Sequence, residues 1–302
     1  MYHGIINVYK EPGFTSFDVI AVLRKILQQK KIGHTGTLDP AAEGVLLVCL
    51  GNGTKLCDML ENKTKEYICT MRLGISTDTE DMTGQIIEER PVNCTEDEIR
   101  NAIGSFVGEY MQIPPMYSAL KVDGKKLYEL AREGKVIERQ SRKVVLYNIS
   151  ILEISENKVI FKVLCSKGTY VRSLCRDIGE RLGCGAAMEH LVRTEVSGFR
   201  VESSLKLSEI KELKDEGRFD EYVLSLRSAF SDITFLDVKE EFAKKIDNGN
   251  PMEQACFVQQ FVAADNALYG INDTKGRFAG VYRYLADKMI FMPEKMFPDN
   301  ND

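Results

Sequence analysis

Several residue types are scarce in this chain, and each scarcity excludes a class of protein. Tryptophan is absent, and only 3 histidines occur among 302 residues. The 8 cysteines include no C-x-x-C pair and several lie in apolar runs, which is typical of reduced core thiols and gives no zinc site. No apolar run approaches the roughly twenty residues that cross a bilayer, and no basic-then-apolar leader opens the sequence. We therefore expect a cytoplasmic protein with no membrane span and no bound metal.

The chain also lacks the basic excess of a typical nucleic-acid-binding protein. Its formal net charge is −5, whereas phosphate binding usually leaves a basic footprint. The charge is unevenly distributed, because residues 121–200 carry 16 Lys and Arg against 10 Asp and Glu, a net of +6, which leaves −11 for the remainder. This segment is equally consistent with an RNA-binding face and with a solvated surface of mixed charge.

Length and hydrophobic spacing predict one large domain followed by a small one. We place the large domain at residues 1–230, with a boundary near Ser231, and a small β-rich domain at 233–302. Helical spacing predicts a helix from Thr15 or Ser16 through about Gln29. The other expected elements are strands at 4–10, 45–50, 65–73, 143–154 and 158–166, and helices at 54–60, 95–106, 171–182 and 207–216.

The segment from Gly33 to Lys55 joins a polar loop to an apolar run. Pro40 and the loop glycines hold the backbone tightly around Asp39. The run from Val45 to Leu50 is continuously apolar, as in a strand that is buried on both faces. An Asp beside Pro is most often a turn-former, and a lone His such as His34 is most often a turn or core residue. The density of polar groups beside this strand nevertheless favours a functional site.

The loop sequence, G-H-T-G-T-L-D-P-x-A-x-G-V-L followed by C-L-G-x-x-T-K, resembles the signature loop of the bacterial tRNA pseudouridine-55 synthases, the TruB family. The aspartate of that loop is catalytic in the family, which implies catalysis by Asp39. The resemblance also implies that His34 fills the stack vacated by an extruded base. Lys10 is implied as an active-site contact, although Pro12 is displaced by one position from the family's Lys-Pro-x-Gly.

Two further segments resemble parts of the same family that contact RNA. The pattern K-x-Y followed by R-L-G-x-x-T-D-T-x-D places Tyr67 against the target base. By the residues alone, a buried strand tyrosine is normally a core residue. The segment P-P-x-Y-S-A-x-K resembles the family's thumb loop, here about residues 112–135, in which Tyr117 and Lys121 would bind substrate.

The last two motifs complete the implied site. Arg172 lies in the first turn of a predicted helix, where the helix dipole disfavours a cation, so that a carboxylate partner would explain it. It belongs to C-S-x-G-T-Y-x-R, whose arginine pairs with the catalytic aspartate in the family. The segment A-x-x-x-x-L-x-R resembles a family motif whose leucine lines the base pocket, which here is Leu191.

The resemblance covers roughly residues 4–200 and implies an α/β (α+β) pseudouridine synthase fold with a mixed, largely antiparallel central sheet. Residues 233–302 resemble a PUA-type RNA-binding domain. The implied activity is isomerisation of uridine 55 in the T loop of tRNA to pseudouridine, by a monomer that uses no metal, nucleotide or redox cofactor.

Two other readings of the sequence stay open. A carboxylate hydrolase would use Asp39 and Glu43 as an acid/base pair. A non-catalytic RNA-binding protein would recognise the T-arm hairpin and leave its uridine unchanged.

Overall fold

The structure is a computed structural model that describes residues 1–61, 64–122, 124–230 and 232–297. The predicted domain boundary at Ser231, and Asp123 in the predicted thumb loop, lie outside the described residues. Within the described ranges, no helix is long and apolar enough to cross a membrane.

Strands make up most of the regular structure. They are β1 (Gly4–Lys10), β2 (Ile32–His34), β3 (Glu43–Leu50), β4 (Lys65–Leu73), β5 (Ile75–Thr77), β6 (Ile86–Glu89), β7 (Gly108–Gln112), β8 (Lys121–Val122), β9 (Lys125–Lys126), β10 (Arg142–Ser155), β11 (Lys158–Cys165), β12 (Ala186–Val196), β13 (Phe199–Arg200), β14 (Thr234–Asp237), β15 (Met252–Glu253), β16 (Leu268–Asn272), β17 (Phe278–Leu285) and β18 (Ile290–Met296).

Seven α-helices are described between these strands. They are α1 (Ser16–Leu27), α2 (Cys57–Glu61), α3 (Glu96–Gly104), α4 (Leu127–Arg132), α5 (Val171–Leu182), α6 (Leu207–Asp215) and α7 (Ala243–Asp247). Short 3₁₀ segments cover Gly51–Leu56, Val201–Ser203, Phe219–Tyr222, Leu226–Phe230, Glu240–Phe242 and Gln254–Cys256.

A nine-stranded sheet forms the larger part of the molecule. Its order is β1-β3-β12-β4-β11-β10-β7, with β2 paired to β3 and β13 to β12. Every pair is antiparallel except β12 with β3, which meet in parallel at Val192 and Glu43. The prediction of a mixed, largely antiparallel sheet is therefore confirmed, and its parallel contact lies at the end of the Asp39 loop.

The predicted two-sided burial of β3 is confirmed, since one face packs against α1 and the other against Val196 and its neighbours. Helix α1 begins with a capping box in which Thr15 Oγ1 accepts from Asp18 N at 3.0 Å, and this satisfies donors that the first turn leaves unpaired. The helix ends two residues before the predicted Gln29, because Gln28 takes a left-handed conformation with φ of 51°.

Helix α5 packs against the face of the sheet that carries the predicted site. Its apolar stripe includes Leu174 and Ile178, which share a core with Tyr67 and Leu191. A Cβ at Gly179 would lie 2.1 Å from the main-chain nitrogen of Ala186. Glycine at this position therefore lets the C-terminal half of the helix approach the start of β12 more closely than any other residue would permit.

A second sheet, ordered β14-β16-β17-β18-β15, is formed entirely by residues 234–296. It confirms the prediction of a β-rich C-terminal part. Phe278 and Phe297 from this part share one apolar cluster with Ile5 of β1 and Cys49 of β3. Burial at this cluster joins the second sheet to the first, so the C-terminal part is packed against the larger unit rather than tethered to it.

Other boundaries differ modestly from the predictions. The strands predicted at 143–154 and 158–166 form the antiparallel pair β10 and β11, which turns at Glu156 with φ of 47°. The segment expected as a helix from Thr54 is instead a 3₁₀ segment to Leu56 followed by α2. Helix α3 carries the predicted capping box from Thr95 but ends at Gly104 rather than near Phe106.

Candidate active site

Asp39 lies in the tight loop between β2 and β3. The Ala42 amide donates to the Asp39 carbonyl oxygen at 3.1 Å, and the Leu38 amide donates to Ser16 Oγ at 2.9 Å. The loop leaves at Gly44, which has φ of +101° and where a Cβ would lie 2.3 Å from the Arg193 carbonyl oxygen. Only glycine both adopts this positive φ readily and has no Cβ to clash with Arg193. The loop is thus pinned at both ends, and the Asp39 side chain keeps 36% of its surface exposed.

Arg172 holds the Asp39 carboxylate with a planar fork. Arg172 Nε donates to Oδ2 and Nη2 donates to Oδ1, each at 2.9 Å. The same guanidinium donates to the main-chain oxygens of Thr79 at 3.0 Å and Tyr117 at 2.9 Å, and it lies 3.7 Å from the Asp81 carboxylate. Bidentate contacts of this kind fix orientation as well as charge. Arg172 is 4% exposed and covers one side of the Asp39 carboxylate. The exposed part of that carboxylate therefore faces away from Arg172.

The start of α5 is itself held by the base of the predicted thumb loop. The Tyr170 amide donates to Gln112 Oε1 at 2.8 Å, and Gln112 Nε2 donates to the Tyr170 carbonyl oxygen at 3.0 Å. This pair of bonds joins the N-cap residue of α5 to the last residue of β7, and Arg172, two residues further along, reaches the Tyr117 carbonyl oxygen of the thumb segment.

Arg193 is a functional side chain that the sequence analysis missed. It is 2% exposed, and its guanidinium donates to the carbonyl oxygens of Val45 at 2.7 Å, Gly36 at 3.1 Å and Thr37 at 3.4 Å. It therefore fastens both arms of the Asp39 loop to β12. Arg193 is the last residue of the A-x-x-x-x-L-x-R motif that also contains Leu191, so the sequence does carry a signal for it.

Lys10 lies beneath the loop and faces main-chain oxygens. Its Nζ donates to Ala42 at 2.6 Å, Pro40 at 3.1 Å and Glu11 at 3.2 Å, and none of its surface is exposed. Burial lowers the pKa of Lys10 to about 8. The predicted contact with substrate stays a prediction, and the geometry gives this side chain three protein acceptors that support the loop.

Tyr67 and Leu191 lie on adjacent strands of the face that carries the loop. They are 8% and 6% exposed and share a core cluster with Leu38 and Ala42 of the loop. Burial raises the pKa of the Tyr67 hydroxyl, which keeps it protonated at neutral pH. Together they form an apolar floor next to Asp39.

His34 ends β2 at the entrance to the loop. Its Nδ1 accepts from the Gly36 amide at 3.3 Å. Burial, with a smaller contribution from the nearby Arg193 cation, lowers the pKa of His34. A neutral imidazole at this position presents a flat ring at the edge of the site and adds no charge to it.

The two predicted thumb residues have different surroundings. Tyr117 is half-buried and touches the site through its carbonyl oxygen. Lys121 is exposed on β8 in a two-stranded hairpin with β9. The structure therefore joins Tyr117 to the Asp39 cluster and places Lys121 on the outer surface of the thumb segment.

Glu43, the proposed partner of Asp39 in a hydrolase, is committed elsewhere. Its Oε2 accepts from the Tyr9 hydroxyl at 2.8 Å, and its Oε1 lies 2.8 Å from His190 Nε2. Burial and the hydrogen bond to Glu43 raise the pKa of the Tyr9 hydroxyl to about 12. With both Asp39 oxygens held by Arg172, the two carboxylates do not form an acid/base pair, and the geometry disfavours the hydrolase reading.

Comparison with known proteins identifies the relatives of this chain. The family model of the N-terminal domain of TruB family pseudouridylate synthases matches residues 24–171. That of the C-terminal domain of tRNA pseudouridylate synthase B matches residues 172–231.

Individual proteins match over most of their length. The chain is 50% identical to the tRNA pseudouridine synthase B of Lachnoclostridium phytofermentans, covering 98% of this chain and 99% of that one. It is also 50% identical to the enzyme of the same name from Alkaliphilus oremlandii, over 82% of each chain. A solved structure of an H/ACA RNP bound to a substrate RNA containing 2′-deoxyuridine superposes with a TM-score of 0.76 at 26% identity, covering 98% of this chain and 86% of that one. The chain belongs to the TruB family of pseudouridine synthases.

Proposed function

We propose that this protein converts uridine 55 in the T loop of tRNA to pseudouridine, with Asp39 as the catalytic carboxylate. The observation that carries the proposal is the fork between Arg172 and Asp39, which holds both carboxylate oxygens at 2.9 Å beside the floor formed by Tyr67 and Leu191. A carboxylate that is oriented by its partner and open on one side can act on a sugar carbon or on a base.

The reaction exchanges one bond for another on the same nucleotide. The bond between N1 of the base and C1′ of the ribose breaks, the base turns, and a bond between C5 and C1′ forms. The proton on C5 leaves and N1 gains a proton, so that the product is an isomer of the substrate. Asp39 either attacks the substrate or stabilises positive charge at the sugar, and both roles require the same oriented carboxylate.

The neighbouring residues receive their roles from their positions. We assign Tyr67 to stacking on the target base and to the proton loss at C5. Burial keeps its hydroxyl protonated, so the hydroxyl accepts the C5 proton as it passes its own proton to water. Leu191 lines the base pocket. His34 occupies the stack that the extruded uridine leaves, which offsets part of the few kcal/mol that unstacking costs. We assign Lys10 to holding the loop on which Asp39 is presented, in addition to its predicted proximity to substrate.

The RNA would be held outside this pocket by two parts of the chain. The thumb segment at residues 112–135 presents Tyr117 and the exposed Lys121, within the stretch of positive net charge. Residues 233–302 would bind the tRNA as a PUA-like domain, and residues 1–230 would form the catalytic domain. We propose a cytoplasmic monomer that acts on the T-arm stem-loop.

A T-arm RNA labelled with tritium at C5 of the target uridine tests this function against its alternatives. The proposed synthase releases tritium to water and leaves a strand that keeps its base. A hydrolase would leave an abasic strand that has lost uracil. A non-catalytic RNA-binding protein would retain the RNA on a filter and release no tritium, and that result would refute the proposed activity.

A further inference from the structure

The turn that contacts Arg172 through Thr79 and Asp81 contains a strained residue. Glu80 has φ of 64°, a left-handed conformation that costs a non-glycine residue on the order of 1 kcal/mol or more. It is only 8% exposed. A buried carboxylate in a strained backbone persists only where its surroundings hold it in place.

Helix α5 supplies those surroundings. Ser173 Oγ donates to one Glu80 carboxylate oxygen at 2.6 Å, and the Arg176 guanidinium donates to the other. Ser173 is the residue next to Arg172, and Arg176 lies one turn further along the helix. Glu80 therefore binds the helix at two points, directly after Arg172, which orients Asp39, and one turn further along.

The residues on either side of Glu80 both reach Arg172. The Thr79 carbonyl oxygen accepts from Arg172 Nη1 at 3.0 Å, and the Asp81 carboxylate lies 3.7 Å from Arg172 Nε. Strand β12 holds the turn from behind, because the Met188 amide donates to the Glu80 carbonyl oxygen at 3.1 Å. If the Glu80 side chain released α5, the turn could relax and both contacts to Arg172 would move.

The same connection extends to the thumb segment. Arg176 Nη2 donates to the carbonyl oxygen of Ile113 at 3.2 Å, directly after the end of β7. Arg176 therefore joins Glu80 to the start of the thumb segment. The same segment supplies the Tyr117 carbonyl oxygen that accepts from Arg172.

We infer that Glu80 is a positioning residue for catalysis, which locks the turn at residues 77–81 onto α5 and thereby sets the orientation of Arg172 and of the Asp39 carboxylate. Its side chain binds Ser173 and Arg176, and it acts on Asp39 through Arg172. This inference rests on the proposed function, because the rate it governs is that of the uridine isomerisation.

The test compares two substitutions that differ in reach. Glu80→Asn tolerates a left-handed backbone but is too short to reach both donors on α5. Glu80→Gln keeps the length, and since a serine hydroxyl can also accept a hydrogen bond, it can satisfy both Ser173 and Arg176. Glu88→Asn is the matched control, because Glu88 pairs at the surface with Arg90 at 2.7 Å, and Arg90 meets α5 at its C-terminal end, at the Gly183 carbonyl oxygen, rather than at Ser173 or Arg176.

Single-turnover tritium release at saturating T-arm RNA gives the rate, and filter binding gives the affinity. We expect Glu80→Asn to lose about tenfold in rate with RNA affinity unchanged, since small misplacements remote from the chemistry have effects of this size. Glu80→Gln and Glu88→Asn should stay within twofold of the parent. Arg176→Gln cuts the same contact from the helix side, should slow the reaction similarly, and should not add to Glu80→Asn.

Three results would overturn the inference: a parental rate in both Glu80→Asn and Arg176→Gln, a loss confined to RNA affinity, or fully additive losses. An inactive parent would refute the proposed function instead. In that case, crystal structures of the parent and of Glu80→Asn still decide the positioning role, which predicts that Thr79 moves out of hydrogen-bond distance of Arg172 in the variant.

Discussion

Replacing Arg172 with lysine isolates the geometric part of its role, because the charge is kept and the planar fork is lost. The guanidinium uses three nitrogen atoms to reach Asp39, Thr79 and Tyr117 at 2.9 to 3.0 Å. A lysine amine donates from a single atom and cannot span two carboxylate oxygens and two carbonyls on different sides. At least one Asp39 oxygen and one main-chain oxygen would lose their donor.

The size of the effect follows from these contacts. A hydrogen bond to a charged group contributes about 1.5–3 kcal/mol, so that losing one from Asp39 leaves the carboxylate free to turn. We expect the single-turnover rate of Arg172→Lys to fall on the order of 100-fold, which corresponds to about 2.7 kcal/mol of transition-state stabilisation. The free energy of unfolding should fall by about 1–3 kcal/mol, because a buried carbonyl is left unpaired.

The assay is tritium release from T-arm RNA at saturating concentration, with Arg181→Lys as the control on the same helix. Arg181 is exposed, donates to Ser105 and lies over the Phe106 ring at 5.0 Å, and it makes no contact with Asp39. This control should retain the parental rate. A folded Arg172→Lys variant with a rate within threefold of the parent would show that charge alone suffices and that the fork has no catalytic role.

Three further predictions concern the pocket, the RNA face and the loop support. Tyr67→Phe keeps the ring and removes the hydroxyl, so RNA binding should persist while tritium release slows about 100-fold, as expected for loss of a general acid or base; an unchanged rate would limit Tyr67 to stacking. Lys121→Gln should reduce the slope of log affinity against log salt by about one. Lys162→Gln is the control and should leave the slope unchanged, because the Lys162 amine lies 3.3 Å from Glu66 on the sheet. Equal slopes for the two variants would remove Lys121 from the RNA face. Burial lowers the pKa of Lys10 to about 8 from 10.5, so that between these values only the unfolded chain keeps the proton. The parent should therefore gain stability relative to Lys10→Met as pH rises from 8 to 10.5 in urea unfolding, and parallel curves would contradict this.

The sequence predicted most of the elements that carry the site because their signals are local. The helix start at Thr15 or Ser16 and the continuous apolar run of β3 each depend on residues that are close along the chain. The family motifs placed Asp39 and Arg172 in one site, and the structure shows the two side chains in contact.

Contacts between side chains and distant main-chain atoms could not be predicted in the same way. Arg193 and Lys10 together bind carbonyl oxygens along the Asp39 loop. Every residue has a main-chain carbonyl oxygen. The residue type therefore does not indicate which of these oxygens accepts a hydrogen bond. The left-handed conformation of Glu80 could not be predicted from the sequence either, because the two donors that hold its side chain, Ser173 and Arg176, lie far away along the chain.

The relation of the C-terminal part to the larger unit was also beyond the sequence. The sequence predicted a β-rich segment at 233–302, but a strand pattern does not name the surface against which the segment packs. The structure packs it partly against Ile5 and Cys49. The C-terminal part thus contributes apolar contacts to the sheet that carries the Asp39 loop.

The central claim, that Asp39 is the catalytic carboxylate of a uridine isomerisation, is tested most directly by one comparison. Asp39→Asn keeps the shape of the side chain and removes its charge, and its tritium release and RNA affinity are measured beside those of the parent. We predict no release above background, RNA affinity within a few-fold of the parent, and a folded protein. Tritium release at the parental rate by Asp39→Asn would contradict the account, and a joint loss of folding and binding would make Asp39 a turn-forming residue instead.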